Sequence, residues 1–87
     1  MDENNRIEDI EFMEQILEKR SQIESTADIN EIAKLKEEND KIIRSMLRDI
    51  SEKFEKKNYK DALSLIERLK YFDRIDQAIH SWEAPSN

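Results

Sequence analysis

Apolar residues recur three and four positions apart along most of the chain, with polar residues between them. That spacing marks one buried face of a helix. It is clearest between Asp61 and Ile79, where Ala62, Leu65, Ile66, Leu69, Phe72, Ile75 and Ile79 form one stripe. At about 100° per residue the stripe drifts slowly backwards, which predicts left-handed, coiled-coil-like packing. Tyr71 projects beside this stripe and not within it. A large aromatic in that position either covers the rim of the seam or contacts another molecule.

A second stripe of Ile29, Ile32, Leu35, Ile42, Ile43, Met46, Leu47, Ile50 and Phe54 predicts a long helix over 29–56. Asp28 followed by Glu31 fits a capping box at its start. Asn39 sits on the stripe and is expected to hydrogen-bond across the bundle, with Arg20 as the candidate partner. Asn58 and Asp61 form a second capping pair, so the third helix spans 59–81. Ile10, Met13, Ile16, Leu17 and Ile23, joined by Phe12, predict a first helix over 7–24. Its stripe covers roughly 160°, wider than one seam requires. Phe12, Ile16 and Ile23 are therefore placed inward, with Met13 and Leu17 at the edge. Arg20 falls near the middle of this stripe, where a charge needs a partner. Trp82 is expected to close the end of the bundle, and 83–87 to form a disordered tail.

These elements predict an all-α domain over 1–87. Its architecture is a three-helix antiparallel bundle, with a short first helix against a long coiled-coil-like hairpin of helices two and three. Composition agrees: of 87 residues none is Gly and one is Pro, too few turn residues for a sheet. With 41% charged and 37% apolar residues the core must be thin.

The net charge is −6, which argues against nucleic acid and against an anionic membrane surface as partners. Residues 1–24 hold eight acidic and three basic groups, so most of that charge belongs to the first helix. No apolar run nears the ~20 residues of a membrane span. The N-terminus has no apolar signal-peptide segment. There is no cysteine and one histidine, His80, so the usual zinc sets are unavailable. Without Gly there is no phosphate loop. Glu14 and Glu18 at i, i+4 read as a solvated face. No groups converge for catalysis, so the expectation is a non-enzyme with no cofactor and no metal.

Two segments carry a family resemblance. FMEQILEKR (Phe12 to Arg20) and ERLKYFDRI (Glu67 to Ile75) resemble the signature segments of the C-terminal domain of HscB-type J-protein co-chaperones. The match runs over about Asp9 to Ile79 and includes the turn between the last two helices. It implies a domain that binds the iron–sulfur cluster scaffold protein for delivery to a DnaK-type chaperone. It places Met13, Leu17, Glu18, Arg20 and Tyr71 on the family's partner-contacting positions. Glu14 and Ser21 depart from the pattern, at positions where the family has Met and Glu. The family's J domain is expected to be absent from this chain, so any contact with the chaperone is indirect. Bacterial cytoplasm and mitochondrial matrix both suit the family. The rival reading is a self-association module, a homodimer formed through the surplus apolar edge, or an adaptor for an unrelated helical partner.

Overall fold

The computed structural model describes residues 3–83, which form three helices: α1 (Glu3–Ser25), α2 (Ile29–Glu55) and α3 (Tyr59–Glu83). The middle and last helices start where the sequence places them. α1 does not: at 23 residues against 27 and 25 it is not a short helix. Apolar spacing marks only the stretch of a helix that packs, and α1 begins four residues before its first apolar position, Ile7. Glu83 still belongs to α3, and the rest of the expected tail lies outside the described residues.

The two turns are fixed by side chains and by backbone shape. At the start of α2 the Asp28 carboxylate accepts from the Asn30 N–H at 2.9 Å. Glu31 does not reach back to Asp28 as a capping box would have it. Thr26 stands between them: its Oγ1 accepts the Asp28 N–H at 3.1 Å and donates to the Glu31 carboxylate. The Trp82 indole N–H donates to the Thr26 carbonyl at 3.3 Å, which ties the end of α3 to this turn. Trp82 does close one end of the bundle.

The second turn is a Schellman motif. The Asn58 N–H reaches the Lys53 carbonyl at 2.8 Å and the Lys57 N–H reaches the Phe54 carbonyl at 3.0 Å. Lys57 takes the left-handed conformation there, at φ 60°. Glycine is the usual occupant of this position, since it has no Cβ to clash. Asn58 then caps α3, its side chain bonded to Asp61 at 2.8 Å.

α2 and α3 share the largest seam, and α1 leans mainly on α3. Asp9 meets Arg68, Phe12 meets Phe72 and Thr26 meets Trp82, so α1 and α3 run parallel with α2 antiparallel to both. The core is Ile16 and Ile23 of α1, Ile32 of α2, and Phe72, Ile75 and Ile79 of α3. Ile50 of α2 and Ala62 of α3 are buried outside this cluster. Leu69, central to the α3 stripe, is only half-buried. Ile29, Leu47 and Phe54 of the α2 stripe are exposed, because a seam between two helices covers a narrower face than the stripe occupies.

Asn39 is buried at 1% exposure. Its amide donates to the Phe72 carbonyl at 3.0 Å. It bonds across the bundle as expected, but to α3 and not to Arg20, which is exposed.

Candidate functional site

The seam on α1 runs through Phe12, Ile16, Lys19 and Ile23, not through Arg20. Three turns in eleven residues give a period near 3.67 (~100° per residue), and on that wheel Phe12 and Ile23 lie at the middle, with Ile16 and Lys19 on either side. Lys19 is half-buried, as a long side chain at the flank of an apolar seam can be. Arg20 was placed centrally because Met13 and Leu17 were averaged into the stripe. Without them it falls at the edge, exposed, and needs no buried partner.

That edge faces α3. Phe12 is wedged between two α3 rings, 5.7 Å from Tyr71 and 5.6 Å from Phe72, both edge-to-face. The Arg68 guanidinium lies over the Phe12 ring at 4.8 Å and pairs with Asp9 at 3.5 Å. Arg74 lies over Tyr71 at 5.4 Å. Tyr71 is half-buried and packs against the core while its ring borders the surface. It is both a rim residue and an accessible one.

Between the start of the α1–α3 contact and the α2–α3 turn runs an open groove of about 930 Å³. Met13 and Tyr71 line it, together with Phe12, Leu65 and Arg68. Leu17 sits one helical turn beyond Met13 on the same side and is 61% exposed, whereas its neighbour Ile16 is 3% exposed. Met13, Leu17 and Arg20 thus share an arc of about 60° on α1, and Met13 of that arc lines the groove with Tyr71 of α3. Glu18 stands apart: five residues on from Met13 it projects about 140° away, on the outer face.

Sequence reasoning missed Arg68, Lys53 and Lys60, all of which line the groove. Nothing in their local spacing separates them from other surface cations. The groove rim is also mixed and not acidic: Lys53, Lys60 and Arg68 face Asp9, Asp61 and Glu67.

Among the described residues no cluster of three or more histidines or carboxylates is placed to hold a metal ion. No helix there is long and apolar enough to cross a membrane.

A helical scaffold that presents apolar side chains in an open groove offers the kind of surface that protein-binding modules use. The family comparison gives it a place: residues 8–80 match the HSCB C-terminal oligomerisation domain. The chain belongs to that family of co-chaperone domains. Comparison with curated proteins and with solved structures gives no match.

Proposed function

We propose that this domain binds the iron–sulfur cluster scaffold protein through the α1–α3 face, as a non-enzymatic co-chaperone domain. Met13, Leu17, Arg20 and Tyr71 form the contact, and Glu18, on the outer face of α1, is left outside it. Delivery to a DnaK-type chaperone would use the J domain of a whole co-chaperone, in bacterial cytoplasm or mitochondrial matrix.

One observation carries the reading. Met13 lines the groove with Tyr71, and Leu17 offers exposed apolar surface one turn along the same side of α1, at the positions where the resemblance puts the family's contacts. An exposed leucine beside a fully packed isoleucine on the same helix is surface that packing does not require. Calorimetric titration with the scaffold protein tests it, using wild type beside a Leu17→Ala/Tyr71→Ala variant. Binding lost in a variant of unchanged helicity supports the proposal. A wild type that does not bind overturns it.

Self-association is a second reading, favoured by the family's description as an oligomerisation domain and by exposed Phe54, Tyr59 and Leu63 at the other end of the hairpin. Sedimentation across a range of concentrations distinguishes it.

A further inference from the structure

The groove holds two charges with no counterpart. Of its three acidic residues, Asp9 is paired with Arg68, Asp61 is bonded to Asn58, and Glu67 lies 4.0 Å from Lys70. Of its three basic residues, Arg68 is taken by Asp9 and by the Phe12 ring. Lys53 of α2 and Lys60 of α3 have no acidic partner among the described residues, yet both border the groove. They flank the α2–α3 turn, and residues 53–60 carry four lysines and one glutamate in a chain of net charge −6. Lys53 is half-buried, whereas Lys60 is exposed.

The same groove contains Met13 and Tyr71. One groove therefore holds both the apolar side chains of the proposed scaffold contact and two lysines that flank the hairpin turn. An occupant that seats an apolar side chain on Met13, Leu65 and Tyr71 has its next residues over Lys53 and Lys60. A neutral or basic segment would leave two ammonium groups facing it uncompensated, which disfavours it. A carboxylate-bearing segment meets both.

We infer that Lys53 and Lys60 are a second contact of the docking face, which receives an acidic segment of the scaffold protein and sets its orientation along the groove. The inference rests on the scaffold reading above. It assigns a direction to the complex: the partner's apolar anchor lies toward Leu17, and its carboxylates lie toward the α2–α3 turn.

Charge reversal separates this contact from general attraction. Lys53→Glu/Lys60→Glu and Lys56→Glu/Lys57→Glu make the same change in net charge at the same end of the hairpin, the first inside the groove and the second outside it. Titration with the scaffold protein at low salt is expected to show the first variant weakened about tenfold or more and the second changed little. The gap should narrow as salt is raised. Zero-length carbodiimide coupling of the wild-type complex is expected to join Lys53 or Lys60 to a scaffold carboxylate. Melting and helicity of both variants check that the fold is kept.

Equal weakening by both variants, or none by the first, overturns the contact while the scaffold reading stands. Coupling that forms only at lysines outside the groove also overturns it. A wild type that does not bind the scaffold overturns both.

Discussion

Asn39 of α2 donates its side-chain amide to the main-chain carbonyl of Phe72 on α3, 3.0 Å away and shielded from solvent. The bond is one of the four that the side-chain amide can make. Its Oδ1 is buried with no hydrogen-bond partner among the described residues. A buried acceptor left unpaired costs on the order of 1–3 kcal/mol, so the residue is kept at a loss in stability. A polar side chain that bonds at one place along a seam favours one register over a slipped alternative.

Asn39→Leu is therefore expected to leave stability unchanged or to raise it by about 1 kcal/mol, since both the bond and the orphaned acceptor disappear together. Chemical denaturation measures this. A loss above about 2 kcal/mol would show that the Phe72 bond outweighs the unpaired oxygen.

Phe12 and Tyr71 join α1 to α3 by an edge-to-face contact at 5.7 Å. A double-mutant cycle with Phe12→Leu and Tyr71→Leu should give a coupling of about 0.5–1.5 kcal/mol in stability. Strict additivity would mean that the two rings touch without interacting energetically.

Lys57 holds a left-handed conformation that costs a residue with a Cβ about 1 kcal/mol. Lys57→Gly relieves that strain but also loosens the unfolded chain, so the net gain should be a few tenths of a kcal/mol to ~1 kcal/mol. Thermal melting reads it directly. A lower melting temperature would mean that the lysine side chain supports the turn in some way beyond its backbone.

Ile75 and Leu17 separate core from surface. Ile75, at 1% exposure, should cost about 2–5 kcal/mol on change to Ala. Leu17→Ala, at a position 61% exposed, should stay within about 0.5 kcal/mol of wild type. Urea denaturation of the two variants side by side checks the contrast. If Leu17→Ala unfolds the domain, α1 packs through a face other than the one described.

The α2 and α3 starts were legible because caps are local: Asp28, Asn58 and Asp61 act within three residues of themselves. The role of Thr26 was not, since its part in the first turn depends on Trp82 from the far end of the chain. Helical period located Ile16, Ile23, Ile75 and Ile79 in the core. It misplaced Arg20, because a stripe that mixes core and surface apolar residues has a false centre, and Phe12 and Ile23 occupy the true one. The apolar members of the candidate site could be read from Met13 and Leu17 spilling beyond the seam. Lys53 and Lys60 could not, since they become neighbours of Met13 only when three helices are laid side by side.

The parallel course of α1 and α3 has a kinetic consequence. α2 and α3 are joined by a three-residue turn and share the broadest seam, so they can zip together with little loss of chain entropy. α1 reaches α3 only after the length of α2 has been placed between them. The α1 wall of the groove is thus expected to be placed last as the chain folds and to open first in local unfolding. A partner seated there acts as a clasp on the least protected part of the domain, and amide exchange in α1 becomes a gauge of its occupancy.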